Sequence, residues 1–227
     1  MRPDLAPLWL RQLLDGARHL RPGQIGERRL VPPDAGGRRA AVLVVIGEGT
    51  QGPDLLLVER AATLREHAGQ VAFPGGGSDP GDADAVATAL REAAEETGLD
   101  PAGVVPLAQL PDLYIPPSGF VVAPVLAHWA RPVPVRAVDA GETAAVARVP
   151  VSTLTDPANR FMVSHPAGYT GPGFAASGLF VWGFTGALLS AVLDLGGWAR
   201  PWDTTVVRTL DDAWDLANPV REEVDSS

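Results

Sequence analysis

The stretch Arg91–Leu99, REAAEETGL, puts three glutamates into five residues between an arginine and a glycine. Its spacing predicts a helix over Ala85 to Thr97, with Gly98 as its C-terminal stop. On that helix Val86, Leu90, Ala93 and Thr97 share one face, with Ala94 beside them. Glu92 and Glu96 stack one turn apart and Glu95 lies about 60° from Glu92, so the three carboxylates point into one sector. Arg91 is spaced to pair with Glu95, but one arginine cannot neutralise three acids. Like charges at this spacing cost about 0.2–0.5 kcal/mol per pair. They also lie toward the negative end of the helix dipole. Taken alone, the cluster fits a solvated acidic face. Upstream, Phe73-Pro74-Gly75-Gly76-Gly77 changes that reading, because Gly75 and Gly76 let the backbone approach a ligand. A divalent cation removes the charge conflict, and three oxygen ligands suit Mg²⁺ or Mn²⁺. A metal facing a glycine turn is what a diphosphate substrate needs, since it neutralises phosphate oxygens and activates a water.

Composition narrows the classes. The chain has 227 residues, 46% of them hydrophobic and 20% charged, which fits one domain with an extension or at most two small ones. It contains no cysteine, which excludes disulfides, thiolate zinc sites and cysteine nucleophiles. All 18 basic residues are arginine, so a Schiff-base lysine and a Walker lysine are excluded too. The net charge of -9 argues against nucleic acid as a partner. The N-terminus does not read as a signal peptide. Leu179 to Trp198 is nearly long enough to span a membrane, but it carries Asp194 and ends in Gly-Gly. It reads as a buried strand running into a buried helix, and the expected location is cytoplasmic, with no membrane partner.

The rest of the chain alternates strands with few helices. A helix is expected over Leu8 to Leu20, and a Gly-, Pro- and Arg-rich arm over Pro22 to Arg39. Ala40 to Ile46 and Leu55 to Val58 read as a strand hairpin. Val71 to Phe73 is a short strand before the glycine turn. Further strands are expected at Val104–Leu110, Phe120–Trp129, Thr143–Val149 and Leu179–Trp182, and a closing helix at Thr185–Leu195. The expected organisation is an N-terminal helix and arm (1–39), a main domain (40–198) and a tail (199–227). Strands mixed with few helices suggest an α+β or α/β/α sandwich on a mixed sheet.

With these residues in place, the sequence resembles the Nudix hydrolase family. That family's box runs from a glycine through an early glutamate to Arg-Glu-aliphatic-x-Glu-Glu-x-Gly-aliphatic. Gly77, Arg91, Glu92, Glu95, Glu96, Gly98 and Leu99 match it, and Ala93 stands where a larger aliphatic is usual. Position 83, where the early glutamate should fall, is Ala83, flanked by Asp82 and Asp84. The wider run from Leu55 to Leu99 resembles the coenzyme A diphosphatase branch through Leu64, Arg65, His67, Gly69, Gln70, Val71, Phe73 and Pro74, and through Asp79 and Asp82. Weaker echoes are Pro116–Phe120, Pro124-Val125 and Trp182-Gly183 with Thr185.

The resemblance implies a Nudix-type α/β/α sandwich that hydrolyses a nucleoside diphosphate linked to another moiety. For this branch the substrate is CoA or an acyl-CoA, cut to 3′,5′-ADP and 4′-phosphopantetheine. It implies Mg²⁺ or Mn²⁺ as cofactor, held mainly by Glu92 and Glu96, with Glu95 as a further ligand or base and Arg91 orienting Glu95. Glu142 is the candidate for a later acid, and Ala145 occupies the place where some relatives carry a second. Arg60 and Arg65 are the cations expected to meet the extra phosphate of CoA. His67 is expected at a phosphate or in the loop's own hydrogen bonds, and Ser118 and Phe120 at the pocket or in the core. A homodimer is left open. Two other readings stand beside this one: a Nudix enzyme for ADP-ribose, NADH or a damaged nucleotide, and a non-catalytic nucleotide-binding module. Ala83 and Ala145 favour the module, and the intact glutamates speak against it.

Overall fold

The split of one hairpin organises the molecule. In this computed structural model, which describes residues 1–26, 36–63, 68–116 and 118–217, β1 (Arg39–Gly49) and β2 (Gly52–Arg60) pair antiparallel only at their turn end, Ile46 opposite Leu55 through Gly49 opposite Gly52. Toward the other end they part, and a second hairpin fills the gap. Its first strand, β3 (Val71–Ala72), bonds β2, and its second, β4 (Gly75–Gly77), bonds β1. The Leu43 N–H donates to Pro74 O at 2.8 Å inside the split.

On its far side β1 runs parallel to β7 (Phe120–Trp129), from Arg39 opposite Val121 to Ile46 opposite His128. Two earlier strands, β5 (Val104–Gln109) and β6 (Leu113–Ile115), lie antiparallel on β7. The sheet ends beyond β2 with β8 (Thr143–Pro150). One parallel pair among antiparallel ones makes the sheet mixed, as expected.

β1 reads as an unbroken apolar run because both of its faces are covered. Val44 and Ile46 join Leu55 and Leu57 in one core cluster, and Leu43 and Val45 join Leu56 in the other. The second cluster is closed by the helix of the opening motif (Ala85–Thr97). The first is closed by a short N-terminal helix α1 (Arg11–Ala17) and by the helix Gly183–Leu195, through Leu13, Leu14, Leu188, Leu189 and Val192. Helices on both faces of one sheet give the expected three layers. Numbered in chain order, α2 is Pro22–Ile25, α3 is Ala85–Thr97, α4 is Val151–Leu154 and α5 is Gly183–Leu195. Among the described residues no helix is long and apolar enough to cross a membrane.

A second sheet was not foreseen. β9 (Arg160–His165) and β10 (Tyr169–Ala176) form a hairpin, β11 (Leu179–Val181) adds to β10, and β12 (Val207–Arg208) adds parallel to β9. β10 carries Gly171, Pro172 and Gly173, which look like turn residues in sequence. Gly173 is there because a Cβ would strike the Phe161 ring and Val163 of β9, and Gly186 of α5 because a Cβ would press on Pro172 O. The last helix, α6 (Leu210–Ala217), closes this sheet by burying Ala213 and Ala217 against Phe161, Val163 and Phe180. Residues 207–217, read from sequence as tail, thus pack on the second sheet. Within the expected arm, α2 buries Ile25, while residues 27–35 lie outside the described ones.

Helix α3 starts and stops where its caps dictate. The Asp84 carboxylate accepts the Ala87 N–H at 2.9 Å, and Gly98 takes the left-handed conformation at φ 68° and returns its N–H to Ala94 O. Its fully buried positions are Thr88, Ala89, Ala93 and Thr97. The buried stripe is therefore centred on small residues, with Val86 and Leu90 only partly buried at its flank. The strap from Arg131 to Val138 caps its far end: Arg136 N–H donates to Thr97 O at 3.0 Å and Val138 N–H to Glu96 O at 3.2 Å.

Replacing Asp84 by alanine removes the N-cap acceptor and is expected to cost about 1 kcal/mol. For a chain of this size that lowers the thermal midpoint by roughly 2–4 °C. Asp84→Asn, which keeps an acceptor, should lose much less in the same melts.

Candidate active site

The glycine turn and the acidic helix meet residue by residue. Gly75 N–H donates to Glu96 Oε2 at 3.0 Å. The Glu92 carboxylate lies so close to Gly76 that a Cβ there would sit 2.7 Å from Oε1. Gly77 O accepts from Arg91 Nη2 at 3.0 Å. On the opposite side of the turn, a Cβ at Gly75 would lie 2.7 Å from Val42 Cα. The turn is thus a thin layer between β1 and α3, and glycine is what makes it thin.

Arg91 is the hub of the carboxylates. Nε and Nη2 grip Asp82 Oδ1 and Oδ2 at 3.1 and 2.9 Å, and Nη1 reaches both Glu92 Oε1 and Glu95 Oε2 at 3.0 Å. Asp82 also accepts the Asp79 N–H and the Thr88 hydroxyl, both at 2.9 Å. Its hydrogen bonds from Arg91, then from Asp79, hold the Asp82 carboxyl well below the usual range. Arg91 is raised in turn, chiefly by Asp82. Asp82 was noted in sequence only as part of a spacing pattern. In the fold it ties the loop to the arginine from the position just before Ala83. Spacing alone does not reveal it, because the contact depends on how the loop folds back toward Arg91.

Glu96 is partly buried and has few partners. Among the described residues its carboxylate bonds only to Gly75 N–H. Burial raises its pKa to about 7, the Gly75 bond opposes this, Glu92 and Glu142 raise it further and Arg60 lowers it. Burial likewise raises Glu92, against Arg91. Glu95 is different: its side chain is 60% exposed and stays on the solvent side of Arg91. Among the described residues no three carboxylates or imidazoles gather around a common point. Glu92 and Glu96 are brought to the glycine turn, and Glu95 is held beside them by Arg91.

Arg60 and Glu142 face Glu96 electrostatically from the end of β2 and the turn before β8. They are neighbours because Ala61 N–H donates to Glu142 O at 2.9 Å. The Arg60 Nε is buried without a hydrogen-bond partner, while its backbone holds Gln70 O and Gly69 N–H. Ser118 and Phe120 sit elsewhere. Ser118 bonds Ile115 O, and Phe120 lies under the Arg38 guanidinium at 4.3 Å, at the start of β7 with β1 between it and the turn. The structure does not bring these two to the carboxylates. Arg65 and His67 lie outside the described residues.

The donor set suits a hard divalent cation. Two poorly solvated carboxylates press on a glycine turn, and carboxylates with room for waters are what Mg²⁺ and Mn²⁺ take. Without metal, the folded state prefers Glu96 protonated. Its contribution to stability is present below the ordinary carboxylate value of 4.5 and is lost as pH rises through about 7. Chelated protein should therefore lose stability from pH 5 to pH 8 in denaturant titrations. Glu96→Gln, which can accept the Gly75 bond without charge, should flatten that slope.

Comparison with known proteins identifies the family. Residues 37–164, more than half of the chain, match the NUDIX domain model. The chain is 46% identical over 115 residues to an uncharacterized Nudix hydrolase, NudL, of Cronobacter sakazakii, and 44% identical over the same length to its namesake in Escherichia coli K12. Each match covers 51% of this chain and 58% of the relative, so it spans little more than half the length of these curated relatives. Among solved structures, the chain resembles a Nudix hydrolase from M. smegmatis, RenU, with TM-score 0.47 and 18% identity over 73% of this chain and 89% of that one. It also resembles the NUDIX domain of Shewanella oneidensis NrtR complexed with ADP ribose, with TM-score 0.43 and 21% identity over 54% and 79%. On the extent of the domain match, and with the box residues assembled around the glycine turn, the chain belongs to the Nudix family.

Proposed function

We propose that this protein is a metal-dependent diphosphatase that cuts CoA or acyl-CoA to 3′,5′-ADP and 4′-phosphopantetheine or its acyl form. The observation that carries the hydrolase reading is the pair Glu92 and Glu96, partly buried against Gly75 and Gly76, with one shared arginine on Glu92 and no ion pair on Glu96 among the described residues. Keeping two acids poorly solvated side by side is costly unless a cation joins them. The CoA preference is supported by the run from Leu64 to Pro74. Membership of the family supports the general chemistry.

In this reading Glu92 and Glu96 hold Mg²⁺ or Mn²⁺. The metal supplies charge neutralisation at the diphosphate and a nucleophilic water at neutral pH. Arg91 keeps Glu92 and Glu95 in place, and Asp82 keeps Arg91 in place. Arg60, whose Nε has no hydrogen-bond partner, would meet a phosphate oxygen. Glu142 faces Glu96 and is the candidate to take a proton from the attacking water. Gly75 and Gly76 let the substrate's phosphates approach the helix.

The test is product analysis by mass spectrometry. With Mg²⁺ or Mn²⁺ the protein should convert CoA to 3′,5′-ADP and 4′-phosphopantetheine, and chelator should abolish this. Glu96→Gln should give no product above the chelated control. Intact CoA beside cleaved ADP-ribose or NADH would replace the substrate assignment, and metal-independent binding without turnover of any of them would replace the enzyme reading.

Asp82→Asn should weaken the support of Arg91 and lower kcat/KM by about 10–100-fold, the range for groups that orient metal ligands. Returning the acid to the neighbouring position, in Asp82→Ala with Ala83→Glu, should restore part of that loss in the same assay.

A further inference from the structure

The family match stops at residue 164, inside β9, so β10, β11, β12, α5 and α6 lie beyond it. Part of that later chain nevertheless reaches the edge of the candidate active site. The Trp214 ring of α6 stands against Gly69, where a Cβ would meet its Cη2 at 3.4 Å, an ordinary contact distance. Gly69 lies two residues before β3, in the left-handed conformation at φ 68°. It has no side chain with which to anchor itself, and glycine gives up the most freedom on ordering. A bulky ring beside it limits that freedom.

Gly69 in turn is tied to Arg60. Gly69 N–H donates to Arg60 O at 3.1 Å, and Arg60 N–H donates to Gln70 O at 3.0 Å. The two bonds set the Arg60 backbone against the segment that leads into the glycine turn. From there the Arg60 charge acts on Glu96, and its Nε has no hydrogen-bond partner. Trp214 is itself well held. Its ring meets Phe180 edge-on, with centroids 6.2 Å apart, and Phe180 stacks with both Phe161 and Trp182. Helix α6 is seated by buried Ala213 and Ala217. Its first turn is fixed by Thr209, whose hydroxyl donates to Asp212 Oδ2 at 2.7 Å and accepts the Asp212 N–H at 3.2 Å.

We propose that Trp214 is a positioning residue for this site. Its ring holds Gly69 in place, and through the two backbone bonds it fixes where Arg60 presents its guanidinium to a substrate phosphate. The inference rests on the diphosphatase reading, in which Arg60 meets a phosphate. A structure appended after the matched domain thereby serves substrate binding. A phosphate is charged in the bound substrate as well as in the transition state, so a loosened Arg60 weakens binding more than chemistry.

The experiment measures kcat and KM with Mg²⁺ for the native protein, Trp214→Leu, Arg60→Met and the double variant. The substrate is CoA, or ADP-ribose or NADH where one of those is what the native protein cleaves. Trp214→Leu keeps an apolar contact with Phe180 but withdraws the ring from Gly69. It should raise KM by about fivefold or more, part of what a hydrogen bond to a charged group contributes, with kcat within about twofold. In the Arg60→Met background the same change should raise KM no further. A merely structural role would instead lower the active fraction, which reduces apparent kcat at constant KM. Trp214→Phe keeps a ring on Phe180 with a shorter reach, and the same cycle run with it decides the matter where the leucine variant is too unstable to assay. If KM stays native in these variants, or rises equally with and without Arg60, the positioning role falls and the diphosphatase reading stands. If the native protein turns over none of the three compounds, both fall.

Discussion

Everything at this site depends on the absence of a side chain at two positions. Gly75 and Gly76 occupy the gap between the β1 backbone and the carboxylates of α3, and neither surface leaves room for a Cβ. With any larger residue the helix would stand off the sheet. The Gly75 bond to Glu96 would be lost, and so would the close seat of Glu92. The small residues Ala89 and Ala93 under the helix serve the same closeness from below. The split between β1 and β2 creates the gap, and the β3–β4 hairpin fills it.

Charge is arranged around that layer in an uneven way. Arg91 is shared by Asp82, Glu92 and Glu95, so its positive charge is spent before Glu96 is reached. Glu96 is left with one backbone N–H and with Arg60 at a distance. The imbalance falls on Glu96, which is bonded to the glycine turn itself. A structural acidic face would show the reverse, with its acids spread toward water, as Glu95 is.

Much of this was legible in the sequence, and the reasons differ by element. The bounds of helix α3 are legible because the apolar stripe and Gly98 are local signals, while the Asp84 cap is seen only in the structure. The continuous apolar run of β1 was equally clear, since both of its faces are buried. The second sheet was not read, because the glycines and proline of β10 serve close packing with β9 and α5 while imitating a loop. Arg60 is expected at a substrate phosphate and Glu142 as a later acid, and the hydrogen bond from Ala61 N–H to Glu142 O shows how the fold makes the two neighbours. Ser118 and Phe120 are expected at the pocket or in the core on weaker echoes, and the fold places Phe120 across β1 from the glycine turn. The anchoring of Arg91 by Asp82 depends on how a loop turns back on itself, which spacing does not encode.

The parallel pairing of β1 with β7 has a consequence for the order in which the molecule comes together. The two strands are separated by about eighty residues, and such distant pairings close late because the intervening chain must be confined first. The glycine turn and the acidic helix lie inside that interval. During synthesis they leave the ribosome before the strand that completes the floor beneath them. Until β7 docks, the helix lacks the part of its floor that Ala123, Val125 and Ala127 supply. The floor under the carboxylate helix is therefore completed only when a strand from the second half of the domain has found its place in the middle of the sheet.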